Sequence, residues 1–366
     1  MGVIGPYPPP YGGVSVHIQR LLKRLEQLNF VCNLYDVYGK KREKTDERIV
    51  RITSPKLWVV KYFFTCDDEI IHIHTEDWRS HVMVGLMAFL GKKTIATLHS
   101  EIMINRWKNF NFIKKRLIRF ALKSNTRVIA VNQAIFNYCL SLGVHTNNLF
   151  LIPAFLPPVI EEADRQEIPA YVCDFLTSHK PILSANAAKI NFFKEQDLYG
   201  LDLCIELCYR LKENYDTIGF IFFLSEIGDK NYFDELQLKI RQLHIQKNFL
   251  FVTESCTFYP VLMKSDIFIR PTNTDGDAIS VREALFFKIP TIVSDCVPRP
   301  EGTILFSNRN ADDLTIKTTN LLNDYHQVKE TLDRMYIPDN GSEVTDIYQK
   351  IFTSKGNLIQ SGEDPR

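Results

Sequence analysis

The sequence predicts an α/β protein made of two doubly wound, parallel-sheet domains that face a cleft, and three observations predict it. Short apolar, β-branched runs alternate with helix-period segments along almost the whole chain, as βαβ units on a parallel sheet require. The runs form two similar sets separated by "PAFLPPVIEEADRQEIP" (153 to 169), whose prolines and charges cannot belong to a central strand. A chain of 366 residues also exceeds one ordinary core.

In chain order, a short strand at the start leads into "GPYPPPYGG" and a strongly periodic helix. The strands of the first set are "VCNLYDVY" (31 to 38), "EIIHIHT" (69 to 75), "KTIATLH" (93 to 99), "RVIAVN" (127 to 132) and "LFLIP" (149 to 153). Those of the second are "PILSANA" (181 to 187), "IGFIFFL" (218 to 224), "NFLFVTE" (248 to 254), "DIFIRPT" (266 to 272), "PTIVSD" (290 to 295) and "TILFS" (303 to 307). The expected domains are therefore residues 1–160 and 161–335, with 336–366 a helix and tail crossing back to the first domain. Low hydropathy makes the final "KGNLIQSGEDPR" an expected disordered segment.

Composition narrows the function. Hydrophobic content of 45% and charged content of 24% fit a soluble globular protein, and a net charge of +1 gives no overall pull on nucleic acid. The eight cysteines form no C-x-x-C pair and sit mostly among apolar residues, as reduced core thiols of a cytoplasmic protein would. The N-terminus lacks the charged-then-apolar pattern of a secretion signal, and no run approaches the ~18 apolar residues of a membrane span. A membrane role would be peripheral.

Ligands of open parallel sheets bind at the carboxyl ends of strands, where loops enter helices, so motifs at those places carry most weight. Gly12 and Gly13 precede a helix and suit either a phosphate, held by backbone amides and the helix dipole, or a plain tight turn. The stretch is neither G-x-G-x-x-G nor the G-x-x-x-x-G-K-S/T loop, which removes support for a dehydrogenase or a kinase-type NTPase. His99 ends a strand and could exchange a proton or bond a sugar hydroxyl, or be a satisfied structural histidine. His72 and His74 share one strand face and read as structural, since no further ligand lies near them in sequence to complete a zinc set.

"RPTNTDGDAISVREAL" (270 to 285) spans a strand end, a loop and a helix start. Asp275 and Asp277 fit a metal clamp, an acidic turn or part of a metal-free nucleotide-sugar site, while Ser280 and Glu283 read as a capping box. Two loop carboxylates are few ligands for Mg²⁺, which favours a site without metal.

With these residues on the page, the chain resembles the retaining glycosyltransferases of family 4, whose GT-B fold pairs two Rossmann-like domains. The resemblance runs from "GPYPPPYGGVSVH" to about residue 325. It rests on the Gly-Gly loop and on an acid, seven residues and a glutamate, here Asp275, "GDAISVR" and Glu283. It implies bacterial cell-surface polysaccharide synthesis, with a nucleoside-diphosphate sugar such as a UDP-sugar as donor and a glycan or lipid-linked glycan as acceptor. No metal or other cofactor is implied. The amides of Gly12 and Gly13 would take the diphosphate, and His99 would line the sugar pocket. Asp275, with Gly276, Asp277, Ala278 and Ile279, would hold the transferred sugar, and Glu283 would grip the ribose. Two departures stand out. Asp275 replaces the usual Glu, and in "SANAAKINFFKEQDLYGLD" Tyr199 takes the place of the family's Lys before Gly200. Lys189 and Lys194 are then the candidates for the missing Arg and Lys. An epimerase on the same fold and a non-catalytic nucleotide-sugar binder are the alternative readings.

No acid occurs between Glu101 and Glu161, and residues 106–127 interleave aromatics with cations, placing Ile113, Leu117, Phe120 and Ala121 on one helical face. Such a segment suits the inner face of an anionic membrane, or a core-packed helix with a solvated basic side. No nucleic-acid module is recognised.

Overall fold

The computed structural model describes residues 1–8, 12–37, 48–166, 168–254, 256–275 and 278–359. It separates into two compact units, one of Met1–Val159 joined by the segment beginning at Asp339, the other of Ile160–Pro338.

The first unit contains β1 (Gly2–Gly5), α1 (Gly13–Gln27), β2 (Asn33–Asp36), β3 (Ile49–Arg51), α2 (Pro55–Thr65), β4 (Ile70–Ile73) and α3 (Trp78–Phe89). It continues with β5 (Lys93–Leu98), α4 (Glu101–Lys108), α5 (Phe112–Ser124), β6 (Arg127–Ala130), α6 (Gln133–Ser141) and β7 (Leu149–Leu151). The strands form a seven-stranded sheet in the order β3-β2-β1-β4-β5-β6-β7, parallel throughout. The order reverses between β1 and β4, the place where loops diverge and leave room for a ligand. Both faces of the sheet are covered, so β4 and β5 read as nearly unbroken apolar runs.

The second unit opens with α7 (Glu162–Gln166), α8 (Ala170–Ser178), β8 (Ile182–Lys189), a small antiparallel hairpin β9 (Phe192–Phe193) and β10 (Gln196–Asp197), and α9 (Leu201–Lys212). Then come β11 (Gly219–Glu226), α10 (Lys230–Gln242), β12 (Phe249–Val252), α11 (Tyr259–Leu262), β13 (Ile267–Arg270) and α12 (Ile279–Phe286). β14 (Thr291–Ser294), β15 (Thr303–Phe306), α13 (Ala311–Asn323) and α14 (Tyr325–Arg334) complete it. Its parallel six-stranded sheet runs β12-β11-β8-β13-β14-β15 and reverses between β8 and β13. Its core is dominated by Phe220, Phe222 and the inward stripe of α9, from Leu201 through Cys204, Cys208 and Leu211.

The last helix, α15 (Asn340–Ile359), returns to the first unit. Val344, Ile347, Tyr348 and Ile351 pack into one core with Leu21 and Leu25 of α1 and with Ile70, Ile95 and Ile129 of the sheet. Arg24 anchors the helix entry through Asp339 at 3.0 Å, and Asn340 donates to the carbonyl of Phe155 at 2.9 Å. The structure extends this helix to Ile359; residues 360–366 of the expected disordered tail lie outside the described residues.

Every apolar run read from the sequence carries a strand, and β3 and the β9–β10 hairpin are additions. The basic stretch is not one helix: α4 ends at Lys108 and α5 starts at Phe112, capped by the Asn111 side chain accepting from the Lys114 amide. Ala121 does not share an outward face with Ile113, because it is buried against α3. A Cβ built on Gly85 would lie 2.4 Å from the Ala121 Cα, so the two helices cross almost in backbone contact.

Candidate active site

In the first unit the candidate residues gather at the carboxyl ends of β1, β4 and β5, beside the switch point. Gly12 is the N-cap of α1, with extended backbone (φ −150°), and Gly13 is its first helical residue. Among the described residues neither position needs glycine for its conformation or packing: a Cβ on Gly13 meets none of them within 4 Å, and one on Gly12 meets Ser15 Oγ at 3.9 Å. The open space above them is what a group approaching the backbone closely would use. The Gly12 amide, expected to serve a diphosphate, donates instead to Ser15 Oγ at 2.8 Å. The amides of Gly13 and Val14 meet no acceptor among the described residues, as helix N-termini require unless a ligand or water caps them.

His17 on α1, His74 after β4 and His99 after β5 converge beneath this loop. His74 Nδ1 and His99 Nε2 share a hydrogen bond of 3.0 Å, and the His17 ring meets the His99 ring edge-on at 4.7 Å. His17 Nδ1 donates to the Ala154 carbonyl at 2.7 Å, which fixes its tautomer and leaves Nε2 a buried acceptor without a partner among the described residues. Burial pushes the His17 imidazole down to about 4, the Ala154 hydrogen bond opposing it and nearby Arg20 adding to it. Burial, reinforced by neighbouring histidines, also holds His72, His74 and His99 well below the ordinary histidine range. All four are thus neutral near pH 7, so His99 can donate or accept a hydrogen bond without carrying charge. His72 is structural, lying between the Tyr348 hydroxyl and Thr97 Oγ1. For His74 the expectation of no partner ligands nearby is corrected: the fold brings one nitrogen each from His17, His74 and His99 within 4.8 Å, a set that could hold a metal ion once the His74–His99 hydrogen bond opened.

In the second unit the candidates lie at the carboxyl ends of β8 and β13, again beside the switch point. Asp275, in the loop after β13, is 10% exposed and clasped by two guanidinium groups. Arg270 reaches both carboxylate oxygens (3.0 and 3.3 Å), Arg299 donates to Oδ2 at 3.0 Å, and the Thr272 hydroxyl also donates to Oδ2, at 3.1 Å. Burial alone would raise the Asp275 carboxyl, but Arg270 and Arg299 outweigh it and hold it below the usual range. An ionised carboxylate so engaged can orient and stabilise charge; it is a poor proton acceptor. Gly276 and Asp277 lie outside the described residues. Ala278 is the N-cap of α12, and the amides of Ile279 and Ser280 at its start meet no acceptor among the described residues. Glu283 is buried in α12 (6% exposed). The expected capping box is absent, because Ser280 is the second helical residue and not the cap, so its hydroxyl cannot reach the amides a cap would serve.

The candidate cations are less firmly placed. Lys189 ends β8 and is exposed, and Lys194 sits with Glu195 in the two-residue turn of the β9–β10 hairpin, both at positive φ, its Nζ 5.4 Å from the Phe193 ring centre. Tyr199 lies under Arg270, whose Cζ is 5.1 Å from the ring centre. The N-terminus of α9 is already filled: the Asp197 carboxylate accepts from the amides of Tyr199, Gly200, Leu201 and Asp202 (2.7–3.3 Å).

Two family descriptions match the chain, "Glycosyltransferase Family 4" over residues 11–158 and "Glycosyl transferases group 1" over residues 187–335. The chain belongs to the group 1 glycosyltransferases of GT-B fold. The first matched region holds the Gly12-Gly13 loop and the histidines, and the second runs from the end of β8 past Glu283. No curated protein matches the sequence. Among solved structures, the Rickettsia africae glycosyltransferase shares the fold with TM-score 0.64 and 14% identity, covering 96% of this chain and 98% of that one. Anabaena Alr3699/HepE, solved with UDP, gives 0.58 and 12%, covering 97% and 99%. The UDP-GlcNAc 2-epimerase of Neisseria meningitidis gives 0.64 and 13%, covering 96% and 99%. In this group 1 glycosyltransferase, sequence reasoning passed over Arg270, Arg299 and His17. Arg270 carried a signal: a lone cation in the apolar strand "DIFIRPT" must be paired when buried, and Asp275 is the acid five residues on. His17 and Arg299 carried none, since their partners come from distant segments.

Proposed function

We propose that the protein is a retaining, metal-independent glycosyltransferase that moves a sugar from a nucleoside-diphosphate donor to a glycan or lipid-linked glycan acceptor in cell-surface polysaccharide synthesis. The observation carrying this reading is the Asp275-to-Glu283 spacing, set on the loop and helix after β13 at the carboxyl edge of a sheet. In it, Glu283 binds the ribose and the amides at the start of α12 bind the sugar, with Asp275 fixing that loop through Arg270 and Arg299. On the first unit, the Gly13 and Val14 amides take phosphate oxygens and neutral His99 bonds a sugar hydroxyl. Lys189 and Lys194 supply the charge that the family draws from its Arg and Lys. Similarity to a structure solved with UDP supports a UDP-sugar as donor. The protein acts in the cytoplasm, and a lipid-linked acceptor calls for peripheral contact at the inner membrane face, expected of residues 106–127.

A thermal-shift panel of nucleotide sugars with and without EDTA tests this. Stabilisation by at least one UDP-sugar, unchanged by EDTA, is expected; at 100 times Kd the gain is about 2.7 kcal/mol. Absence of any shift, or a shift abolished by EDTA, refutes the donor site or its metal independence. Donor consumption without acceptor would point to an epimerase.

A further inference from the structure

Right-handed crossovers place α2, α3 and α5 on one face of the first unit's sheet, opposite α1 and α15. Their inward sides are satisfied by Tyr62, Met83, Val84, Met87, Ile118 and Leu122. Their outward sides are not polar. On α2, Leu57, Val60 and Phe64 recur at helical spacing and are 58–79% exposed. Phe89 and Leu90, at the end of α3, are 69% and 65% exposed. On α5, Phe112 and Ile113 are 70% and 68% exposed. From α5 to α3 the stripe is continuous: Ile113, Leu117 and Phe120 follow one another along α5, and the Phe120 ring lies 5.7 Å from that of Phe89. Lys92 ties the end of α3 to the end of α2 through the carbonyls of Cys66 and Asp68, both at 3.2 Å.

Within the three helices the charge has one sign, and the exposed acids nearest to them, Asp67, Glu69, Glu76 and Glu101, lie outside those helices. The segments 55–65, 78–100 and 102–124 contain no Asp or Glu, while Lys56, Lys61, Lys93, Lys115, Arg116 and Arg119 are exposed. Exposed apolar ridges flanked by long cationic side chains suit a lipid surface, where the aromatic groups enter the headgroup boundary and the cations reach back to phosphates. No described helix is long and apolar enough to cross a membrane, so association through these ridges is peripheral.

We propose that the outward face of α2, α3 and α5 docks on an anionic phospholipid bilayer, with Phe64, Phe89, Phe112 and Ile113 inserted and Lys115 and Arg116 on lipid phosphates. This widens the expected membrane contact from residues 106–127 to three helices and rests on that reading alone. No donor or transfer enters its test, so its failure would leave the transferase reading standing.

The test is co-sedimentation of the full chain with vesicles of phosphatidylglycerol and phosphatidylcholine, against phosphatidylcholine alone. Binding to the anionic vesicles, weakened by salt, is expected. Lys115→Glu with Arg116→Glu should lower the partition coefficient at least about 30-fold. Phe64→Ser, in a helix outside residues 106–127, should lower it about 10-fold. Circular dichroism and Tm are read for each variant, and Phe89→Ser replaces any that unfolds. No sedimentation with anionic vesicles overturns the proposal, as does equal binding by the variants. Self-association removed by the same substitutions, without vesicle binding, would show a protein interface instead.

Discussion

Lowering the pH from 7 to 5 should destabilise the first unit selectively, because its core holds neutral histidines. Burial sets the folded pKa of both His17 and His81 at about 4, against an ordinary 6.5. A histidine whose folded pKa is depressed binds more protons when unfolded, so its contribution is complete above 6.5 and is lost as the pH falls towards 4. Between pH 7 and pH 5 that loss is about 2 kcal/mol for each, or about 4 kcal/mol together, a large part of a domain's usual 5–15 kcal/mol. All three tryptophans, Trp58, Trp78 and Trp107, belong to the first unit, so their fluorescence reports that unit alone. Urea titrations followed by tryptophan emission at pH 7, 6 and 5 would measure the slope. His17→Asn keeps a donor for the Ala154 carbonyl and removes the ionisation, so the variant should lose about 2 kcal/mol less over the same interval. A parental stability flat between pH 7 and pH 5, or a variant with the parental slope, would refute the argument.

Glu283→Gln should cut transfer at least about 100-fold, with a Tm within a few degrees of the parent; an unchanged rate with an added acceptor would remove Glu283 from the site. Asp275→Asn leaves Arg299, whose side chain is 2% exposed, without its counter-charge, and should cost about 3–5 kcal/mol in the second unit, read by denaturation followed by circular dichroism. Gly200→Ala forces a side chain into a left-handed residue (φ +68°) with a Cβ 2.5 Å from the Pro271 carbonyl oxygen. A loss of roughly 2–5 kcal/mol should appear in the same measurement.

The strands were legible because buried parallel strands must be apolar throughout, and β8, β11 and β13 announce themselves that way. β3 was not: it has three residues, none fully buried, and little pattern to show. The β9–β10 hairpin was hidden because its turn is Lys194-Glu195, with no glycine or asparagine to mark the positive φ values. Ser280 and Glu283 had the spacing of a cap, but Ala278 begins the helix, and spacing cannot register a helix to the residue. The site was readable where it is local, as in the Gly12-Gly13 loop and the Asp275 segment. The histidine cluster was not, since His17, His74 and His99 meet only because β4 and β5 pair beside α1.

α15 gives the chain an order of assembly. The second unit is continuous in sequence, so everything it packs is present once residue 338 has been made. The first unit is made earlier yet must wait, because Tyr348 reaches His72 across 276 residues of sequence. Until α15 arrives, Leu21, Leu25 and their neighbours are a vacant berth on a half-built domain. The first unit can therefore complete its core only after the whole second unit has been made; a chain stopped short of Asn340 would keep that berth exposed for good.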